Sequence, residues 1–111
     1  MEIIESKKDQ VTILGLVGRL DTTNYNELEK KIFDLIDRKI ILILVDCSRL
    51  DYVSSSGLRI LLMALKKISS SKGRFVLSNL QENIAEIFEI SGFTSIFEIY
   101  PDREQALKSF S

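Results

Sequence analysis

The stretch Ile40–Val45 (IILILV) is an unbroken aliphatic run, with no polar residue on either alternating set of positions. A strand with one face in water alternates apolar and polar residues, whereas a strand covered on both faces does not. The run therefore predicts a central strand with helices packed above and below it, closed by Asp46. That requirement selects an α/β architecture.

The flanking segments agree. Val11–Val17 (VTILGLV) is apolar and β-branched and ends at Gly18; a polar turn at Lys7–Gln10 would join it to a short first strand near Glu2–Glu5. Thr22 to Asn24 offer side-chain oxygens for a helix cap, and Tyr25, Leu28, Ile32, Leu35 and Ile36 then keep helical spacing to about Arg38. Leu58, Leu61, Leu62, Leu65 and Ile68 form a second helical stripe, which Ile60 and Met63 fall beside and which Ser69–Gly73 stops. Arg74–Leu77 reads as a strand. Glu82–Ile90 reads as a short helix with Ile84, Ile87 and Phe88 on one face and Gly92 as its left-handed terminator. Ser95–Ile99 alternates as a last strand, and Asp102 would cap a closing helix through Ala106 and Leu107. The order is β-β-α-β-α-β-α-β-α. It predicts one domain over residues 1–111, with a mixed, mostly parallel sheet of about five strands and about four helices.

Composition narrows the chemistry. The chain has 111 residues, enough for one core, and contains no His, which removes Ser-His and Cys-His nucleophile pairs and imidazole metal sites. Cys47 is the only cysteine, so no internal disulfide, CxxC pair or cysteine-rich zinc site can form, and a reducing cytoplasm fits best. Lys and Arg number 15 against 16 Asp and Glu, leaving no global field for nucleic acid or an anionic membrane. The N-terminal residues are charged and the longest apolar run is far shorter than a membrane span. There is neither a P-loop nor a G-x-G-x-x-G motif. No catalytic residue, metal or cofactor is therefore assigned.

In α/β domains, ligands and partners gather at loops beyond the carboxyl ends of the strands, here Gly18–Asn24, Asp46–Ser56 and Ser78–Glu82. Ser54-Ser55-Ser56-Gly57-Leu58 stands where a helix begins, at the positive end of its dipole. Two readings fit. One hydroxyl is an N-cap and the others are ordinary turn residues, or one serine accepts a phosphate that free helix amides help to satisfy. Asp21 reads as a turn residue, a cap for the first helix or a contact residue. Asp46 as a receiver-type phosphoacceptor is disfavoured, because no acidic pair follows the first strand and no suitably placed lysine ends the last one. Arg59, Lys66 and Lys67 form either a solvated face or a surface for an acidic partner.

Val53–Leu61 (VSSSGLRIL) resembles the D-S-S/T-G-L helix start of STAS domains, specifically the bacterial anti-sigma factor antagonists, with Ile41–Asp46 as the expected preceding strand and aspartate. Gly18-Arg19-Leu20-Asp21 is similar to their G-x-L-D loop, and Phe75–Leu80 through Ile90–Phe93 resembles their strand, loop and helix ending in S-G-hydrophobic. The resemblance extends over essentially the whole chain. It implies a partner switch in the cytoplasm: the unphosphorylated antagonist binds an anti-sigma factor, itself a GHKL-type serine kinase, and frees a sigma factor for transcription. Phosphorylation reverses this and a serine phosphatase resets it, without direct nucleic-acid or membrane binding. Aligned on Gly57, Ser55 takes the phosphoserine position, Ser56 the second hydroxyl position, and Ser54 the place of the family's aspartate. Asp21, Ser54, Ser56, Gly57 and Arg59 are then partner-contact residues. The alternative is a divergent STAS interaction module that works without serine phosphorylation.

Overall fold

The computed structural model describes residues 1–111. Strands β1 (Glu2–Lys8) and β2 (Val11–Leu20) form an antiparallel hairpin with Lys8 opposite Val11. There follow α1 (Tyr25–Asp37), β3 (Leu42–Val53), α2 (Ser55–Ser70), β4 (Arg74–Ser78), α3 (Glu82–Ile90), a 3₁₀ turn (Phe93–Ser95), β5 (Glu98–Tyr100) and α4 (Arg103–Lys108). The sheet order is β1-β2-β3-β4-β5, and every pairing after the hairpin is parallel. This is the expected mixed, mostly parallel sheet and the expected element order.

Successive right-handed crossovers that all step in one direction place their helices on one face of the sheet. Accordingly, Leu14, Leu16, Ile43, Val45, Phe75 and Leu77 share a core with Leu28, Ile32 and Leu35 of α1, Leu61, Ala64 and Ile68 of α2, and Ile84 and Phe88 of α3. Val11, Ile13, Leu44 and Val76 point the other way and meet Ala106 of α4. Ile43, Leu44 and Val45 of the aliphatic run are thus buried, by three helices on one side of the sheet and α4 alone on the other, while Ile40 and Ile41 precede β3 and are half-buried, as is Leu42. About 25 cal/mol per Å² of buried apolar area makes these two layers the main favourable contribution to folding.

Several elements run further than the sequence pattern suggests. β1 extends to Lys8, β2 passes through Gly18 to Leu20, and β3 continues beyond Asp46 to Val53. The second half of β3 pairs with β2 alone, Val17 with Arg49, Gly18 with Leu50, Arg19 with Tyr52 and Leu20 with Val53, across two register shifts. At one of them Gly18 takes a φ of 99°, a conformation that disfavours side chains. β4 stops at Ser78, opposite Asp46, so the other edge of this extension would be bare. Side chains cover it: Gln81 Nε2 donates to the Ser48 carbonyl and Asn83 Nδ2 to the Asp51 carbonyl, each at 3.1 Å. Asp46 is therefore a mid-strand residue, not a strand end.

Two further corrections concern packing. The deepest face of α2 is Gly57, Ile60, Leu61, Ala64 and Ile68, with Leu58, Leu62, Met63 and Leu65 half-buried. Ile60 is buried and widens the core face of α2, which comes closest to β2 at Gly57, where a Cβ would stand 2.8 Å from Leu20 Cγ. Ser95 lies in the 3₁₀ turn and β5 begins only at Glu98, because Phe97 turns inward to join Phe75, Phe88 and Phe93, with ring centroids 5.5–6.4 Å apart. Gly92 is left-handed after α3, as expected.

Candidate functional site

The first turn of α2 rests against the end of β2. Ser54 is extended, its amide donates to the Leu20 carbonyl at 2.9 Å, and its own carbonyl accepts the first helical bond, from Leu58 N. A helix that starts this abruptly leaves amides to be satisfied. Ser54 Oγ accepts one of them, Gly57 N, at 3.2 Å. Ser56 Oγ lies 3.4 Å from Thr22 Oγ1 in the loop after β2. The Ser55 side chain is exposed and forms no hydrogen bond. The three consecutive serines thus divide into a cap, a free hydroxyl and a loop contact, and the amides of Ser55 and Ser56 precede the first helical bond.

Gly57 is fixed by space. A Cβ at this position would stand 2.8 Å from Leu20 Cγ and 3.0 Å from the Leu20 carbonyl oxygen, so any side chain would push α2 away from β2.

The neighbouring loop, Asp21–Asn24, is held by its own side chains. Asp21 Oδ1 accepts from the Thr23 hydroxyl at 2.6 Å and the Thr23 amide at 3.0 Å. Those two bonds, the hydroxyl first, together with Arg19, hold the Asp21 carboxyl below its usual range. Asn24 is buried; its Oδ1 accepts from Asp21 N at 3.0 Å and its Nδ2 donates to the Arg19 carbonyl at 2.8 Å. Asn24 precedes α1 but makes no cap bond to it, because both ends of its amide are committed to the loop. Asp21 is likewise a turn former and not a helix cap.

Arg19 and Tyr52, side by side at the paired ends of β2 and β3, complete this end of the molecule. The Arg19 guanidinium lies 4.2 Å over the Tyr52 ring and its Nε is 3.6 Å from Asp21 Oδ2. Sequence reasoning gives Arg19, Thr22 and Tyr52 no site role. Tyr52 in particular reads as loop as long as the strand is taken to end at Asp46. Arg59 is exposed one turn into α2, and no carboxylate pairs with it.

The other singled-out residues lie outside this constellation. Asp46 Oδ2 accepts from Arg103 Nε at 3.0 Å and Nη2 at 2.6 Å, and Oδ1 accepts from Ser48 N at 2.9 Å. Burial pushes this carboxyl up, but the Ser48 amide and Arg103 outweigh it and hold it below its usual value. Cys47 is fully buried, which with the nearby Asp46 charge pushes its thiol up to about 12. No three His, Cys, Asp or Glu side chains converge on a possible metal position, and no helix is long and apolar enough to cross a membrane.

A five-stranded sheet in chain order, with three helices on one face and a serine-bearing helix start beside the loop after β2, defines a class of mixed-sheet α/β domain. The STAS domain family matches residues 3–106, and the chain belongs to that family. BtrV of Bordetella bronchiseptica, named as an anti-sigma factor antagonist, is 36% identical over 110 residues, 99% of this chain and 95% of that protein. The crystal structure assigned to an anti-sigma factor antagonist of Thermotoga maritima matches with a TM-score of 0.92 at 25% identity, over 96% of this chain and 92% of that one. The Bacillus cell fate determinant SpoIIAA in its phosphorylated form shares the fold, with a TM-score of 0.78 at 20% identity over 99% of this chain and all of the other.

Proposed function

We propose that this chain is an anti-sigma factor antagonist whose unphosphorylated form binds an anti-sigma factor that is also a serine kinase, so releasing a sigma factor, and that phosphorylation of Ser55 switches binding off. The observation that carries this reading is the division of labour at the start of α2. Ser54 caps the helix, Ser56 faces Thr22, and Ser55 alone offers an exposed, unengaged hydroxyl. The name of the BtrV relative supports the antagonist role.

In the modification step the Ser55 oxygen bonds to the γ-phosphorus of the kinase's ATP, the bond to ADP breaks, and the hydroxyl proton passes to a base of the kinase. Before it, the helix start is a nearly neutral patch that a partner desolvates cheaply, flanked by Asp21, Ser54, Ser56, Gly57 and Arg59. Afterwards the patch carries roughly −1.5 to −2 charges. Burying such a charge without a partner costs several kcal/mol, and each ~1.4 kcal/mol is a tenfold loss of affinity. Ser54 in the place of the family's aspartate keeps the cap while removing a carboxylate from beside the acceptor. A serine phosphatase would reset the switch.

The test is site-resolved phosphopeptide mass spectrometry on the protein from its native cells, grown with and without stress. Phosphate on Ser55 that varies with growth condition supports the switch. A Ser55 that is always unmodified overturns it, in favour of an interaction module that works without serine phosphorylation.

A further inference from the structure

We infer that Arg59 is the built-in counter-ion of phosphorylated Ser55: once residue 55 carries a phosphate, the Arg59 guanidinium reaches back one turn of α2 and pairs with it. This rests on Ser55 being the modified serine.

Ser55 and Arg59 are four residues apart in one helix, both exposed. Residues at this spacing are surface neighbours, with Cβ atoms about 5–6 Å apart. Long helical side chains lean toward the N-terminus, so the surface that Arg59 covers is the turn holding Ser55. A guanidinium offers two parallel N–H donors to phosphate oxygens, where lysine offers a point charge.

Nothing competes for that guanidinium. Helix α2 contains no Asp or Glu, although the chain as a whole carries a net charge of −1. Asp21, the nearest acid of the loop after β2, is taken by Thr23 and Arg19. On α1, packed alongside, the titratable groups of the first two turns are Tyr25, Glu27, Glu29, Lys30 and Lys31, and neither of the two carboxylates pairs with Arg59. Arg59 instead lines an open groove with Leu62, Met63, Lys66 and Lys67, where nothing anchors its charge.

The consequence is a switch with two parts. In the unmodified chain Arg59 is free to meet a carboxylate of the partner. In the modified chain the same cation is withdrawn into an intrahelical pair, so one phosphate both adds an anion to the surface and removes a cation from it.

The experiment uses the full chain with phosphoserine encoded at position 55, so no kinase is needed, and follows the ³¹P resonance through a pH titration in wild type, Arg59→Lys and Arg59→Gln. The second ionisation of the phosphate is expected about half a pH unit lower in wild type than in Arg59→Gln, with Arg59→Lys between them. Superimposable wild-type and Arg59→Gln titrations would overturn the inference. A reading on the unvaried chain is the Arg59 Nε–Hε resonance, expected to shift when residue 55 carries phosphate; an unmoved resonance also overturns it. The two failures are distinct. An unmodified Ser55 in cells sinks the switch and leaves this titration meaningful, whereas an unchanged titration sinks the counter-ion and leaves the switch.

Discussion

The Ser54 amide donates to the Leu20 carbonyl at 2.9 Å, so α2 begins in hydrogen-bonded contact with the end of β2. Gly57 rests on the side chain of the same leucine. Ser55 is thus carried on a turn fastened on both sides. A charge added there alters the surface of a fixed platform, and no refolding is needed for a partner to sense it.

This contact makes Gly57 the most sensitive position of the turn. Gly57→Ala would force a Cβ to within 2.8 Å of Leu20 Cγ, and overpacking of this kind costs about 1–3 kcal/mol. The expected result is a lower urea midpoint with an unchanged slope. An unchanged midpoint would mean that α2 moves away from β2 at little cost.

The cap at Ser54 gives a second test. Ser54→Ala should lose about 1 kcal/mol of stability, while Ser54→Asp keeps an acceptor for Gly57 N and adds a favourable charge at the helix start. Denaturation at neutral pH should rank aspartate at or above wild type and alanine below it. Equal losses in both variants would show that the side-chain bond contributes nothing.

Ser55 should behave in the opposite way. Its hydroxyl has no partner, so Ser55→Ala should change stability by less than about 0.5 kcal/mol. Against a purified anti-sigma partner with kinase activity, Ser55→Ala should bind and resist inactivation by ATP, and Ser55→Asp should bind more weakly. Calorimetric affinities that are the same for wild type and Ser55→Asp count against the switch.

Asp46 supplies a pH signature far from that surface. Its carboxyl is held below the ordinary 3.8 in the folded chain, so its stabilising contribution is complete above that value and is lost as pH falls through the lower folded value. Asp46→Asn removes the titrating group. The wild-type advantage in urea midpoint should therefore be largest near neutral pH and shrink below about pH 4. A gap that stays constant with pH would show that the Arg103 contact does not depend on charge.

Most of the architecture was legible because it rests on apolar periodicity. Ile40–Val45 marked the central strand, and the serine triplet before Gly57 marked a helix start, since both signals are local. The far half of β3 was not legible. Ser48, Arg49, Asp51 and Tyr52 are exposed, and only Leu50 and Val53 are buried there, because that half pairs on one side with β2 and is covered on the other by Gln81 and Asn83. A strand with so little core to fill reads as a loop. The same blind spot hid the Arg19–Tyr52 pair, which exists only through a non-local strand register, and the commitment of Asn24 to its own loop in place of capping α1.

The strand order that places three helices on one face also bears on how the molecule is assembled. Each strand pairs with the one made just before it, and none must be inserted between two that have already joined. A chain emerging from the ribosome can lay the sheet down from one edge to the other, by loop closures that stay short throughout. The Leu20–Ser54 junction requires only β2, β3 and the start of α2. The turn that carries Ser55 can therefore form from the N-terminal part of the chain alone, without the last strand of the sheet.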